Sequence, residues 1–165
     1  MYKNEFQSVI MEVATEFIDI DPDALDRTIN HTLERLGKFM QVDRVYLFEY
    51  NHTSQTISNT HEWVAEGINP EIDNLQEIPF EYVPVWVETH AKGENVEVEN
   101  TTELPDGMFK DLLLEQDIKS LIALPLMHDG VSIGFVGLDA VKDYRTFYAD
   151  EKAVSYTHLT LPTKA

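Results

Sequence analysis

The chain has 165 residues, with 30 acidic and 12 basic side chains, a formal net charge of -18 and no cysteine. This length suits a single domain with one core, and the negative charge disfavours nucleic acid and anionic membranes as partners. The absence of cysteine excludes disulfides, thiolate nucleophiles and cysteine-type zinc sites from these residues. No apolar run approaches the roughly 20 residues of a membrane span, and the start lacks a signal-peptide pattern, so we expect a cytoplasmic protein.

Two amphipathic helices are predicted at the start of the chain. Residues 5–18 repeat apolar side chains at spacings of three and four, which is typical of a helix with one buried stripe. Asp21 and Pro22 then supply an N-cap and a first-turn proline for a second helix that runs to Phe39.

Strands and a long irregular segment follow these helices. Residues 45–50 predict a first strand, and a turn at 51–54 leads into a second strand that ends at Trp63. The stretch 69–84 is rich in loops and proline. It leads into a short helix at about 85–91.

The second half predicts an edge strand, a helix and a hairpin. Val96 and Val98 alternate with glutamates, as in an edge strand, and a helix passes through 112–114. Asp129-Gly130 then joins two apolar runs, which is a strong hairpin signal. Neither face of this hairpin carries an alternating polar row, so both faces must be covered.

These elements predict an α+β fold. We expect an antiparallel sheet of about five to six strands, with the terminal helices on one face. The loops and short helices of the middle segment would cover a pocket on the other face. A cavity between the sheet and that segment is the natural ligand site.

Two segments resemble a known family. The order Ile118-Lys119-Ser120-Leu121, Pro125-Leu126, a glycine turn and Ile133-Gly134-Phe135 followed by Gly137-Leu138-Asp139 resembles the core hairpin of GAF domains. Residues 58–68 are similar to the second strand and exit loop of GAF domains that accompany histidine kinases and cyclic-dinucleotide enzymes. The resemblance covers roughly residues 5–153 and implies a PAS-like fold with a sensory or regulatory role.

The residues that GAF domains use to bind their known ligands are missing or incomplete in this sequence. Bilin photoreceptors usually attach their pigment through a thiol, so a covalent bilin is not expected in a chain without cysteine. The stretch 147–151 nearly matches the Phe-x3-Asp-Glu element of cyclic-nucleotide-binding GAF domains, but it lacks one spacer residue and the preceding Asn-Lys. A cyclic nucleotide is therefore doubtful, and the cofactor stays unknown.

Several side chains are candidates for contact with a ligand. Strict alternation would place Ile57, Asn59, His61 and Trp63 on one face, where an amide, an imidazole and an indole could orient a small planar or polar molecule. The further candidates are a tryptophan on the short helix and a cavity floor on the hairpin: Trp86, Leu124, Phe135 and Gly137. Each of these side chains could instead belong to an ordinary core.

No catalytic or metal site is predicted. The histidines are scattered, and neither a P-loop nor a Gly-x-Ser-x-Gly elbow occurs. Asp139 is an ionisable residue in an apolar strand, and we expect a structural hydrogen bond from it to a neighbouring loop.

The end of the chain breaks the pattern. Residues 154–165 are rich in threonine and resemble the translation of a sequencing adapter, so we expect a domain at 1–153 with a truncated closing helix and a non-native tail. An effector domain, such as a histidine kinase or diguanylate cyclase, would then be missing.

Three functions remain open at this point. The first is a sensory domain that binds a small cytoplasmic ligand and passes a conformational shift to the effector. The second is a scaffold without a ligand that forms a homodimer through its terminal helices. The third and most remote is a stand-alone enzyme.

Overall fold

The computed structural model describes residues 22–147. The predicted helix at 5–18, the start of a closing helix near Ala149 and the tail at 154–165 lie outside these residues. The helices and strands, in chain order, are α1 (Pro22–Met40), β1 (Arg44–Asn51), β2 (Thr56–Val64), β3 (Ile78–Pro79), α2 (Pro84–Ala91), β4 (Val96–Val98), α3 (Met108–Glu115), β5 (Ser120–His128) and β6 (Val131–Ala140). Short 3₁₀ turns lie at Ile72–Asn74, Phe80–Tyr82 and Thr101–Glu103.

The strands form one six-stranded sheet with the order β3-β2-β1-β6-β5-β4. Every neighbouring pair is antiparallel. This sheet confirms the predicted α+β fold. The two-residue strand β3 was not predicted, because Ile78–Pro79 is too short to show an alternating pattern.

The predicted hairpin joins β5 and β6 near the centre of the sheet. Asp129 and Gly130 both have positive φ angles, 51° and 77°, which a two-residue type I′ turn requires. Every residue of β5 from Ser120 to Met127 is buried. The prediction that both faces of the hairpin are covered is therefore confirmed.

Helix α1 covers one side of the sheet, which we call the α1 face. Its residues Ile29, Leu33 and Leu36 have no exposed surface, because they pack against apolar side chains of β1, β5 and β6. This part of the helical stripe is therefore used within the chain itself. A homodimer through the terminal helices would need other residues.

The middle segment, residues 65–118, covers the opposite side, which we call the inner face. Helices α2 and α3 and the intervening strand β4 contribute side chains to a second apolar cluster there. Trp86 of α2 and Phe109 and Leu113 of α3 are buried in this cluster. Residues 22–147 thus form two cores, one on each side of the sheet.

The contact between α1 and β2 gives the first testable prediction. A β-carbon on Gly37 would lie 2.2 Å from an atom of the Trp63 ring. Helix propensity alone favours alanine over glycine by about 1 kcal/mol. Overpacking against the ring reverses that sign, and we expect Gly37→Ala to lower the free energy of unfolding by about 1–3 kcal/mol. Urea unfolding measures the change.

The matched control is the double variant Gly37→Ala/Trp63→Leu. A smaller side chain at position 63 removes the obstructing ring, so the alanine should cost less in this background than in the wild type. If Gly37→Ala stabilises the domain, Trp63 does not pack on α1 as described.

Candidate functional site

A β-bulge in β2 divides the predicted site between two faces. Leu47 of β1 pairs with His61, but the next residue, Phe48, pairs with Asn59, so Thr60 is the extra residue of the bulge. Paired residues share a face, and a bulge breaks the alternation of the strand. The prediction that Ile57, Asn59, His61 and Trp63 share one face is therefore wrong.

His61 and Trp63 lie on the α1 face. The His61 Nε2 atom is 2.8 Å from Oδ1 of Asp26 on α1, and its Nδ1 atom is 2.8 Å from Oγ1 of Thr60. The Trp63 ring packs against Gly37. Both side chains connect β2 to α1 and do not face the ligand site predicted between the sheet and the middle segment.

Aromatic rings fill much of the inner face. Phe48 and Phe135 stack with ring centroids 4.8 Å apart, and Trp86 lies 4.9 Å from Phe135. We call the set of buried rings the ring cluster: Tyr46, Phe48, Tyr50, Trp86, His90, Phe109 and Phe135. The ring cluster occupies space where the sequence predicted a cavity.

Trp86 of the short helix and Phe135 of the predicted cavity floor come together in the ring cluster. The other two predicted floor residues, Leu124 and Gly137, have different surroundings. Leu124 lies in the α1-face core, so the prediction that it forms a cavity floor with Phe135 is wrong. Gly137 is beside Tyr46, and a β-carbon there would lie 2.0 Å from the tyrosine ring. This glycine makes room for a ring of the chain itself. Ligand contact by any of these residues stays a prediction.

A tyrosine and a histidine in the ring cluster form a hydrogen-bonded pair that the sequence did not predict. The Tyr50 hydroxyl is 2.6 Å from Nδ1 of His90, and Nε2 of His90 is 3.0 Å from the carbonyl oxygen of Ala123. A carbonyl only accepts, so Nε2 carries the hydrogen and Tyr50 donates to Nδ1. Burial lowers the pKa of His90 to about 4 and raises the pKa of Tyr50. Both groups are therefore neutral at pH 7.

The indole of Trp86 has an unused donor. Its Nε1 atom is buried and finds no acceptor among residues 22–147. A buried donor without a partner costs about 1–3 kcal/mol, and such groups are rare in native proteins. The Trp86 N–H is thus available to an acceptor that residues 22–147 do not provide.

A pocket of about 230 Å³ adjoins the ring cluster at the edge between α2 and the β5–β6 hairpin. Tyr50 belongs both to the pocket wall and to the cluster, and Val87 follows Trp86 on α2. The lining residues are Tyr50, His52, Val87, Ala91, Gly130, Val131 and Ser132. Sequence reasoning missed this pocket, because its wall is assembled from segments far apart in the chain.

A buried ion pair lies at the other end of the inner face. Nη1 of Arg44 is 3.3 Å from Oδ2 of Asp139, and the Tyr46 hydroxyl donates to Oδ1 of Asp139 at 2.7 Å. Arg44 also donates to the carbonyl oxygens of Asn69 and Gln116, at 3.1 and 2.9 Å. Asp139 therefore has a structural role, but its partners are side chains of β1 and not the predicted neighbouring loop.

Two further features bear on function. Within the described range 22–147, no group of three or more histidine or acidic side chains converges in a way that could hold a metal ion. In the same part of the chain, no helix combines the length and the apolar character needed to cross a bilayer.

Comparison with known proteins finds a relative among regulatory kinases. Over 120 residues, the chain is 28% identical to the methanogenesis regulatory histidine kinase FilI of Methanothrix harundinacea. The match covers 70% of this chain but only 13% of that protein.

The solved structures that the fold resembles are more distant in sequence. The GAF domain of PixJ from Thermosynechococcus elongatus in its blue-light absorbing form has a TM-score of 0.66 and 14% identity, with 96% of this chain and 83% of that chain covered. The phycocyanobilin-bound GAF domain of a cyanobacterial phytochrome has a TM-score of 0.71 and 16% identity, with coverages of 93% and 91%. The model of the GAF domain family matches residues 24–154, and the chain therefore belongs to the GAF domain family.

Proposed function

We propose that this GAF domain is the sensory input domain of a longer cytoplasmic signal-transduction protein, and that a small ligand on its inner face changes the state of an attached effector. The relation to a regulatory histidine kinase supports this proposal, as does the small share of that protein which the chain spans. A kinase or a similar enzyme would be the effector. The domain itself supplies regulation and no catalytic residue.

The observation that carries the proposal is the unpaired N–H of Trp86 in the ring cluster. The aromatic surroundings favour a ligand with a flat or apolar body, and the free indole donor favours one with a hydrogen-bond acceptor. The adjoining pocket of about 230 Å³ gives such a molecule a place to enter beside Tyr50. We infer a small, flat ligand that accepts a hydrogen bond from Trp86.

The sheet offers a direct route from this site to α1. Phe135 points to the inner face, and its neighbour Val136 packs in the core beneath α1. A ligand that moves the Phe135 ring therefore acts on the strand that supports α1. Such a ligand biases the effector only through its different affinities for two arrangements of the helix.

The ring cluster does not fit the pigment of the photoreceptor relatives. The 165 residues contain no thiol for covalent attachment, and aromatic side chains already fill the inner face. The pocket beside them is smaller than the roughly 300 Å³ at which typical ligand sites begin. We therefore assign no step to a bilin and propose a smaller ligand.

The Trp86→Phe variant tests this function. It keeps an aromatic ring but removes the N–H. The smaller ring leaves a void that offsets the gain from removing an unpaired donor, so circular dichroism and thermal unfolding first verify that the variant retains the fold. A thermal-shift screen against cytoplasmic metabolites identifies ligands, and calorimetry measures their affinities. We expect Trp86→Phe to weaken binding by about tenfold, which corresponds to roughly 1.4 kcal/mol for one lost hydrogen bond.

Trp63→Phe is the matched control, because it makes the same change on the α1 face. It should leave the affinity unchanged. A ligand that binds both variants as tightly as the wild type would contradict a site at Trp86.

The filling of the inner face favours a second candidate function, a scaffold without a ligand. In that case the ring cluster is an ordinary core, and the domain serves to bring two copies of a signalling protein together. Light scattering after size exclusion then shows a dimer at micromolar concentration, and the metabolite screen gives no shift. A monomer under these conditions contradicts the scaffold.

A further inference from the structure

A second hollow, separate from the inner-face pocket, lies where α1 meets the bulge of β2. Its volume is about 680 Å³, and none of its lining residues belongs to the pocket beside the ring cluster. We call it the bulge cleft. Its lining residues are Asp26, Asn30, Asn59, Thr60, His61, Glu62, Ile72, Asp73 and Gln76.

Asn59 lines this cleft, and its side chain carries a buried hydrogen-bond acceptor that is unused among the described residues. Its Nδ2 atom donates to the carbonyl oxygens of Leu47 and His61, at 3.0 and 2.8 Å. Carbonyl oxygens only accept, so the orientation of the amide is fixed and its oxygen is the remaining atom. The Asn59 side chain is 2% exposed, and its Oδ1 atom accepts no hydrogen bond from the described residues.

The charge of the lining specifies the kind of ligand that would pair with this oxygen. Three carboxylates line the bulge cleft, those of Asp26, Glu62 and Asp73, and none of the lining residues is a lysine or arginine. Asp26 and Asp73 are exposed, so their carboxylates are accessible from solvent. A carboxylate only accepts hydrogen bonds, so a ligand that donates hydrogen bonds and carries positive charge matches this lining.

The existing contacts leave room for such a ligand. Glu62 accepts hydrogen bonds from the backbone N–H groups of Glu71 and Ile72, at 2.9 and 3.2 Å, and is held in place by them. Asp26 is 2.8 Å from His61, which leaves further acceptor positions on this exposed carboxylate. Asp73 has no ion pair among those resolved in the described residues.

We propose that the bulge cleft binds a small organic cation with N–H donors, of the primary ammonium or diammonium class. One ammonium group donates to Oδ1 of Asn59, and the positive charge lies among the carboxylates of Asp26, Glu62 and Asp73. Asp26 belongs to α1 and Asn59 to β2, so the bound cation connects the helix to the sheet. This gives the domain a second ligand site, which acts on α1 directly and does not depend on Trp86.

Calorimetric titration of the whole chain with 1,4-diaminobutane tests the site. We expect saturable binding of one molecule per chain. Tetramethylammonium carries positive charge but no N–H donor, and it should give no saturable signal over the same concentration range. In ¹⁵N NMR spectra, the Asn59 side-chain amide and the backbone amides of Thr60 and His61 should shift together with the calorimetric isotherm.

Two pairs of variants with equal changes in charge provide the control. Asp26→Asn/Asp73→Asn removes two carboxylates from the cleft and should weaken diaminobutane binding by about tenfold. Asp111→Asn/Glu115→Gln removes two exposed carboxylates from α3 and should leave the affinity unchanged. Circular dichroism verifies that both variants retain the fold.

Four results would overturn the proposal. Equal responses to diaminobutane and tetramethylammonium, or equal losses in the two pairs of variants, would mean general attraction to an acidic protein surface. Chemical-shift changes spread over the acidic surface would mean the same. The absence of any binding at millimolar diaminobutane would also contradict a site in the cleft.

Discussion

Replacing Asp139 with alanine is expected to lower the free energy of unfolding by about 3–5 kcal/mol at pH 8. The substitution removes the nearer and fully buried carboxylate partner of the Arg44 guanidinium, which is 2% exposed, and leaves it only the Glu71 carboxylate at 3.9 Å. It also removes the acceptor of the Tyr46 hydroxyl. A buried charge that loses its counter-ion is costly, because water cannot replace the partner. Urea unfolding followed by circular dichroism measures the loss.

Asp139→Asn is the control, and it adds a pH dependence. Burial raises the pKa of Asp139 to about 7, against the opposing effects of Tyr46 and Arg44. An unfolded aspartate has a pKa of about 3.9, so the folded protein binds this proton more tightly. The contribution to stability is therefore complete below about pH 4 and is lost as the pH rises towards 7. Asparagine cannot titrate and should lack this loss.

The two variants together define what would contradict this account of Asp139. A cost of less than 1 kcal/mol for Asp139→Ala would mean that Arg44 does not depend on the carboxylate. A difference in stability between the wild type and Asp139→Asn that stays constant from pH 4 to pH 8 would mean that the pKa is not raised.

Phe135→Ala is expected to be similarly destabilising, by about 3–5 kcal/mol. Phe135 has no exposed surface, and its ring contacts those of Phe48, Trp86 and His90 at centroid distances of 4.8–4.9 Å. Truncation leaves a cavity at the centre of the ring cluster, which adds to the lost transfer free energy of the side chain. Urea unfolding again provides the measurement.

Phe80→Ala is the matched control, because Phe80 lies at the margin of the same cluster. It is partly buried and contacts Tyr50 edge to face, so its truncation should cost much less than that of Phe135. Equal costs at the two positions would contradict the central place of Phe135 in the ring cluster.

The sequence predicted those parts of the fold that depend on local patterns. Asp129-Gly130 between two apolar runs was sufficient to predict the hairpin. Because neither face of the hairpin has an alternating polar row, the sequence also correctly predicted that both faces are covered. Pro22 and the apolar stripe through Leu36 likewise predicted α1. These features need only periodicity and turn chemistry, which a short stretch of chain contains.

The candidate site was less predictable, because it depends on register. The extra residue Thr60 moves His61 and Trp63 to the face opposite Asn59, and nothing in β2 alone reveals the bulge. The prediction for Leu124 was wrong for a related reason. Every position of β5 from Ser120 to Met127 is apolar or buried, so the sequence does not indicate which residues face α1.

Contacts between distant segments also could not be predicted from the sequence. Arg44 and Asp139 are 95 positions apart, and their pairing follows from the antiparallel register of β1 and β6. Tyr50 and His90 meet only because α2 lies over the sheet. The ring cluster is thus a product of tertiary packing, although most of its members stand in elements that were predicted.

The most direct test of a ligand at the ring cluster is the ¹H–¹⁵N spectrum of the two indole N–H groups, since the chain has only two tryptophans. With a ligand from the metabolite screen, we predict that the Trp86 signal moves downfield as its N–H gains an acceptor, while the Trp63 signal stays in place. A ligand that binds and leaves the Trp86 signal unchanged would contradict the proposed sensory site.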